Sequence, residues 1–220
     1  QYKPAQIAEL MDLSDDLARL NVARYKAWRR VVPTQTSRQA VFAFDGDVYG
    51  GLQARQLSPD DLTWAQQHLA MLSGLYGVLR PLDRMQPYRL EMKTRLPNER
   101  GANLYQFWGE RISRYLNQRL KGQSDPVVVN LASQEYFRAV DRKVLKARVV
   151  ECVFEERRDG GQYKVISFMA KRARGLMARH VIDTRATQVH QLEAFCAEGY
   201  TLDRPASADD RLVFRRSAPI

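Results

Sequence analysis

The sequence predicts an α+β fold: a single mixed domain over residues 1–220, with a mostly antiparallel or mixed sheet flanked by helices. Helical and strand-like segments interleave irregularly along the chain, and one pair of segments is typical of a β-hairpin. No low-complexity linker or repeat divides the 220 residues, which are enough to bury about 70–75% of the unfolded surface. Because the elements interleave irregularly and include a β-hairpin, a simple doubly wound parallel sheet is excluded.

The helices are indicated by apolar residues at three- to four-residue spacing and by capping signals. Ser58 is followed by Pro59 and by Asp61, a capping-box pattern that begins a helix. The strongest amphipathic stripe runs from Asn103 to Leu120 and predicts one continuous helix. Helices are predicted within the first thirty residues and over 59–73, 103–120, 170–180 and 188–197.

The strands are indicated by short apolar runs that end at turn residues. The segments 149–156 and 162–169 are joined across Asp159-Gly160-Gly161, which predicts a β-hairpin. The last segment, 211–216, alternates in the manner of an edge strand. The remaining strands are predicted over 39–44 and 126–130.

The composition favours a basic protein of the cytoplasm. Thirty-five Lys and Arg face 25 Asp and Glu, and the net charge is +10. Such an excess favours a nucleic-acid partner, although it also serves solubility. No apolar run approaches the roughly 20 residues that cross a bilayer, so no membrane association is expected.

Neither a metal site nor a cofactor site is indicated by the sequence. Cys152 and Cys196 are far apart, and the three histidines are scattered, so we expect reduced thiols, no disulfide framework and no metal. The glycine spacing matches neither a P-loop nor a dinucleotide fingerprint, and no cofactor is expected.

The first candidate site is a pair of short helices that would meet near Asp12–Ser14, with Ala18 at their contact. This is the pattern of a helix-hairpin-helix, in which turn amides and the second helix N-terminus bind a DNA phosphate. The alternative is a plain amphipathic helix pair, capped by Ser14 and stabilised by the aspartates that follow it. The candidate DNA contacts are Leu13, Ser14 and Arg19, followed by Arg24, Lys26, Arg29 and Arg30.

Three further segments carry candidate residues. The segment 72–92 has two glycines, two prolines and interleaved Arg and Tyr. Residues 130–136 leave a strand and enter a helix, where polar side chains often line a cleft. A basic run begins the helix after the hairpin. The additional DNA contacts expected are Arg80, Arg89, Lys171, Arg172 and Arg174, and an alternative enzymatic pocket would use Asn130, Ser133, Glu135 and Lys171.

Long motifs in these segments make the sequence similar to the bacterial YaaA family, also called UPF0246 or DUF328. The motifs are Phe44-Asp-Gly-Asp-Val-Tyr49, Leu72-Ser-Gly-Leu-Tyr-Gly-Val-Leu-Arg-Pro-Leu-Asp83, Gln86-Pro-Tyr-Arg-Leu-Glu-Met92, Leu104-Tyr-Gln-Phe-Trp108, Asn130-Leu-Ala-Ser133 with Glu135-Tyr136, and Lys171-Arg-Ala-Arg-Gly-Leu-Met177. The resemblance covers essentially the whole chain, in the expected order. The family normally opens with a strand and an Ile-Ser-Pro-Ala-Lys-Thr-Leu-type segment, and this chain starts after it.

The resemblance implies a cytosolic peroxide-stress protein that limits intracellular free iron. It also implies an unusual, family-specific α+β fold with a basic cleft and a helix-hairpin-helix, which here falls on residues 7–21. The implied partner is double-stranded or branched DNA. Since most contacts would be to backbone phosphates, we expect little sequence preference. The sequence does not define the oligomeric state, and a monomer is expected. The alternative is an enzyme of unknown reaction that acts on a small phosphorylated or nucleotide-like substrate. Direct iron sequestration is disfavoured because His, Cys and carboxylate ligands are not clustered.

Overall fold

The computed structural model describes residues 2–217, in which helices and strands alternate irregularly and confirm the α+β prediction. The helices are α1 (Pro4–Met11), α2 (Asp15–Ala27), α3 (Ala40–Ala43), α4 (Asp47–Leu52), α5 (Pro59–His68), α6 (Leu104–Trp108), α7 (Arg111–Arg119), α8 (Gln134–Phe137) and α9 (Ser167–Thr184). The strands are β1 (Arg38–Gln39), β2 (Met71–Ser73), β3 (Gly77–Leu79), β4 (Arg84–Met85), β5 (Val127–Asn130), β6 (Arg148–Arg157), β7 (Tyr163–Lys164), β8 (Thr201–Leu202) and β9 (Arg211–Arg216).

The chain is organised in two compact units, each built from separate stretches of sequence. Within the described residues, the first unit comprises 2–43, 69–119 and 134–145. The second unit comprises 44–68, 120–133 and 146–217. The single domain over residues 1–220 stays a prediction.

In the first unit, α1 and α2 pack against each other, and two small antiparallel sheets, β1–β4 and β2–β3, lie further along the chain. The turn at Gly77 lies against Trp108: a Cβ at this glycine would stand 2.7 Å from the indole ring. The indole Nε1 of Trp108 also donates to the carbonyl of Gly74, at 2.9 Å. The tryptophan therefore fixes the β2–β3 turn against α6.

The second unit contains a five-stranded sheet with the order β5–β6–β9–β8, and β7 also pairs with β6. Strands β5 and β9 run parallel to β6, whereas β7 pairs antiparallel with β6 and β8 antiparallel with β9. The sheet is thus mixed, as expected. Its core holds the aromatic side chains of Phe154, Phe195, Tyr200 and Phe214, which pack at centroid distances of 5.4–5.9 Å.

Two predicted elements of the first unit are wrong. The strand over 39–44 is a two-residue strand, β1, followed by the helical turn α3. A short apolar run does not distinguish a strand from a buried helical segment. At the start of α3, the amide of Ala40 donates to the carbonyl of Asp83 at 2.8 Å. The continuous helix over 103–120 is divided at Gly109, whose φ of +48° ends α6.

Four predictions in or near the second unit were inaccurate. The helix predicted over 59–73 ends at His68, and 71–73 form β2 of the first unit, although the Ser58–Asp61 capping box is present. The second hairpin strand has only two residues in β7, because α9 begins at Ser167. The helix at 188–197 is a 3-10 helix, Val189–Ala194. Strand β9 lies between β6 and β8 rather than at the sheet edge.

Residues 2–217 contain neither a membrane-spanning helix nor a cluster of metal ligands. None of the helices there combines the length and apolar character that a membrane span requires. The same residues contain no group of three or more His, Cys, Asp or Glu side chains arranged to hold a metal ion.

Candidate nucleic-acid interface

The turn between α1 and α2 is short and defined by local hydrogen bonds. Asp12 adopts a left-handed conformation with φ of +51°, and the amide of Leu13 donates to the carbonyl of Ala8 at 3.0 Å. Ser14 caps α2, and its Oγ accepts from the amide of Leu17 at 3.5 Å. Ala18 is fully buried where the helices meet. The chain therefore reverses within three residues and leaves the start of α2 exposed.

The exposed start of α2 presents both favourable and unfavourable groups to an anion. The amides of Asp15 and Asp16 are at the first two helical positions, where no carbonyl of the same helix can accept from them. The carboxylates of these residues are repulsive to a phosphate. One of them, Asp16, is paired with Arg19 at 2.7 Å, so the predicted DNA contact Arg19 is engaged in a local ion pair.

The segment after α2 is anchored by two polar side chains, of which Gln86 is buried and Tyr76 half-buried. Gln86, which is 4% exposed, accepts from the amide of Arg29 at 3.0 Å and donates to its carbonyl at 2.7 Å. The hydroxyl of Tyr76 accepts from Trp28 Nε1 at 3.0 Å and from the amide of Gln86 at 3.1 Å. The backbone that carries Arg29 and the exposed Arg30 is consequently held in one conformation beside the hairpin.

The cations predicted to bind DNA in the first unit differ in how freely they face solvent. Lys26 and Arg30 are exposed, whereas Arg24 Nη1 donates to Asn21 Oδ1 at 3.5 Å. Arg80 pairs with Asp83 at 3.0 Å and Arg89 pairs with Glu91 at 3.5 Å. Lys26 and Arg30 are therefore the strongest candidates for phosphate contacts at the C-terminal end of α2.

The basic run of the second unit lies within the first two turns of α9, and its three side chains have different surroundings. Lys171 is exposed. Arg172 donates to both carboxylate oxygens of Glu198 and is about one-third exposed. Arg174 is half-buried, and this burial lowers the pKa of its guanidinium. Lys171 is thus the residue of this run that an approaching anion meets first.

The candidates for an enzymatic pocket are divided between the units. Asn130 and Ser133 belong to the second unit, where Asn130 Oδ1 accepts from the amide of Ala132 at 3.0 Å. Glu135 belongs to the first unit, and its Oε1 accepts from the amide of Lys93 at 3.2 Å. The enzyme hypothesis requires an enclosed lysine, so the exposure of Lys171 favours a surface contact instead.

No pattern in the sequence predicts that Gln86 and Tyr76 anchor the segment after α2. Gln86 and Arg29 are 57 positions apart, and no local pattern reports a bond over that distance. In the sequence, Tyr76 is one of two tyrosines interleaved with arginines in the segment 72–92. The one local signal is the position of Gln86 in the Gln86-Pro-Tyr-Arg motif, one of the motifs that carry the family resemblance.

The fold and these surfaces define a basic α+β protein with an exposed helix pair and no metal cluster within residues 2–217. The family model described as "Peroxide stress protein YaaA" matches residues 1–206. A UPF0246 protein of Albidiferax ferrireducens is 65% identical over 217 residues, which cover 99% of this chain and 83% of the relative. UPF0246 proteins of Paracidovorax citrulli and Bordetella petrii are 64% and 62% identical, covering 98% and 96% of this chain and 83% and 82% of those relatives. The chain therefore belongs to the family of the peroxide stress protein YaaA.

Proposed function

We propose that this chain binds double-stranded or branched DNA in the peroxide stress response, where it limits intracellular iron and protects DNA. The observation that carries the proposal is the α1–α2 hairpin, with an exposed start of α2 whose first amides have no partner within the helix, and with the exposed cations Lys26 and Arg30 in and just after its last turn. Membership of the YaaA family supports the peroxide-stress context. Iron limitation is included because of the family resemblance.

The chemistry of the hairpin fits a phosphate better than a base. A helix N-terminus concentrates partial positive charge, and its free amides point along the axis toward an incoming anion. At the other end of α2, about 16 Å from its first amides, Lys26 and Arg30 add full charges that neutralise other phosphates of the same DNA. Since such contacts carry no direct sequence information, the binding is expected to follow the shape of the DNA backbone.

The carboxylates of Asp15 and Asp16 oppose this binding and therefore offer a way to test it. Asp15 occupies the first position of α2, where proline is well tolerated because the missing amide has no partner in the helix. Ser14, with φ of −62° and ψ of 156°, already has the extended conformation that a following proline requires. A proline at position 15 thus removes one amide donor without disturbing the helix.

Asp15→Pro and Asp15→Ala form a matched pair, because both remove the carboxylate and only the proline removes the amide. Asp15→Ala is expected to bind a short duplex more tightly than the wild type, since one repulsive charge is lost. Asp15→Pro is expected to bind about tenfold more weakly than Asp15→Ala, because a hydrogen bond to a charged acceptor contributes about 1.5 kcal/mol or more.

The affinities would be measured by fluorescence anisotropy with labelled duplex DNA at one fixed salt concentration. Circular dichroism of each variant would establish that the helical content is retained. Equal affinities for the proline and alanine variants would show that the amide at position 15 does not contact the phosphate. In that case the plain amphipathic helix pair would be the better description of residues 7–21.

A further inference from the structure

Two large apolar side chains of the second unit are exposed within its described residues, and they are close neighbours. Val165 is 50% exposed and Phe168 is 57% exposed, on either side of the start of α9. Most phenylalanine rings of this unit are buried in the core, where they gain the favourable transfer from water. Singly scattered apolar residues are ordinary on a surface, whereas an adjacent pair is more unusual.

Positive charge predominates in the sequence around this apolar pair. Four exposed cations lie in residues 157–171, and Asp159 is the one acid of that stretch. Within the described residues, none of these four cations forms an ion pair. They are Arg157, Arg158, Lys164 and Lys171.

The lack of compensation has a structural cause. The two glutamates nearest to the hairpin turn are bound to arginines of the neighbouring strand β9: Glu155 to Arg215 at 2.8 Å and Glu156 to Arg216 at 2.6 Å. These carboxylates are mostly buried and are not free to pair with the cations near the turn. The positive charge at this end of the sheet therefore remains available to an anionic partner.

The backbone places the aromatic ring beside two of these charges. Strands β6 and β7 pair antiparallel, with Glu156 opposite Lys164 and Arg157 opposite Tyr163, so the side chains of Lys164 and Arg157 lie on opposite faces of the β-hairpin. Lys164 shares its face with the buried Glu156, and the chain passes from Lys164 into α9 within three residues. Phe168 and Lys171 are three positions apart on α9, so their side chains lie on one helix face. We call the surface formed by Lys164, Val165, Phe168 and Lys171 the hairpin–helix patch.

We propose that the hairpin–helix patch binds an unpaired base of a nucleic-acid strand: Phe168 stacks on the base while the cations contact the flanking phosphates. This inference rests on the proposed function, since it takes nucleic acid as the ligand and adds a second contact with a different preference. Aromatic side chains among cations are the usual means of holding single strands, because every base offers a π face. Inside a duplex those faces are covered by neighbouring base pairs, so the patch would select bulges, junctions or single strands.

A membrane surface is the other partner that cations beside an exposed phenylalanine can bind. A membrane-bound helix requires an apolar face that repeats over several turns. The other apolar side chains of α9, such as Ala173, Met177 and Ile182, are buried in the protein. One exposed ring and one valine fit a single base better than a lipid surface.

The test compares a short duplex with the same duplex carrying an unpaired bulge that contains 2-aminopurine, using the full chain. Phe168→Ala is expected to weaken binding to the bulged DNA by about 5- to 100-fold, the range known for base–aromatic stacking, and to change duplex affinity less than about twofold. The wild type should quench the 2-aminopurine fluorescence, and the alanine variant should not. Phe168→Trp should retain both properties.

Three controls separate stacking from other effects. Phe168→Leu keeps an apolar side chain without a π face and should behave like the alanine variant. Lys121→Gln removes one exposed lysine of the same unit outside the patch and should match the wild type, whereas Lys171→Gln should weaken binding. Vesicles of phosphatidylcholine and phosphatidylglycerol test the membrane alternative by co-sedimentation.

The outcomes distinguish this inference from the proposed function. If the wild type binds the duplex but Phe168→Ala binds the bulged DNA equally well, the inference is wrong and the proposed function stands. If only the bulged DNA is bound, in a Phe168-dependent manner, the inference stands and the proposal that the α1–α2 hairpin binds a duplex is wrong. Absence of binding to both DNAs overturns both. Phe168-dependent binding to vesicles, with unchanged DNA affinity, overturns the inference in favour of a membrane.

Discussion

Replacement of Gly175 by alanine is expected to destabilise the protein by about 3 kcal/mol, because α4 and α9 pack with their backbones in contact. A Cβ at Gly175 would stand 1.8 Å from the carbonyl oxygen of Val48, and a Cβ at Gly51 would stand 2.2 Å from that of Arg172. Backbone atoms cannot turn away as a flexible side chain does, so the two helices would have to separate. The better helix propensity of alanine offsets only about 1 kcal/mol of that cost.

The matched control for this substitution is Gly50→Ala, on the same helix α4. The nearest atom to a Cβ at Gly50 is Arg172 Nη1 at 3.9 Å, an ordinary contact distance. This variant is expected to be as stable as the wild type or slightly more stable. Urea denaturation followed by far-ultraviolet circular dichroism would measure both free energies of unfolding. Equal stability of Gly175→Ala and Gly50→Ala would mean that the helices are not in backbone contact.

Replacement of Glu156 by alanine is expected to cost about 3–5 kcal/mol of stability, because it leaves a buried guanidinium without its counter-charge. Glu156 and Arg216 are 4% and 5% exposed and lie on adjacent strands, β6 and β9. The hydroxyl of Tyr200 also donates to Glu156, and burial followed by this carboxylate raises the pKa of Tyr200. Arg216 further donates to the carbonyl of Glu198 at 3.1 Å.

A double variant without either charge separates the effect of the uncompensated charge from the loss of packing. Glu156→Leu combined with Arg216→Met removes both charges and is expected to recover most of the stability lost by Glu156→Ala. Glu110→Ala breaks the exposed pair with Arg114 on the first unit and should cost less than about 1 kcal/mol. If Glu156→Ala lowers the free energy of unfolding as little as Glu110→Ala does, the result would contradict a buried ion pair between Glu156 and Arg216.

Local signals in the sequence were sufficient for several elements of the fold. Ser58 and Asp61 make the reciprocal hydrogen bonds that the capping pattern predicts. The strand at 126–130 and the long helix after the hairpin are present, because each has a strong apolar pattern and a clear boundary. The helix pair at the N-terminus was also predicted, including the burial of Ala18.

The errors arose where tertiary contacts override the local pattern. The amphipathic stripe over 103–120 suggests one helix, but Gly109 takes a positive φ while Trp108 packs on Gly77 and Gly74. Strand β9 was placed at an edge because its polar residues alternate, yet Arg215 and Arg216 are paired with carboxylates of β6. Alternation of charged residues does not indicate an edge when the partner strand carries the opposite charge.

The candidate site was predictable in its residue types more than in its arrangement. The basic run 171–174 was recognised, but the ion pair of Arg172 with Glu198 joins residues 26 positions apart and has no local signature. The same applies to Gln86, whose side chain fixes the backbone at Arg29. Phe168 was predicted within a strand, and its exposure follows from the early start of α9.

The most direct test of DNA binding through the hairpin side of the first unit is the salt dependence of duplex affinity. Each phosphate contact contributes a slope of about −0.9 to the plot of log K against log salt concentration. Lys26→Gln combined with Arg30→Gln should therefore make the slope less steep by nearly two, whereas Lys121→Gln combined with Lys143→Gln, which removes the same charge from exposed positions elsewhere, should leave it unchanged. A wild-type affinity that does not change with salt, or equal changes for the two double variants, would contradict the proposed function.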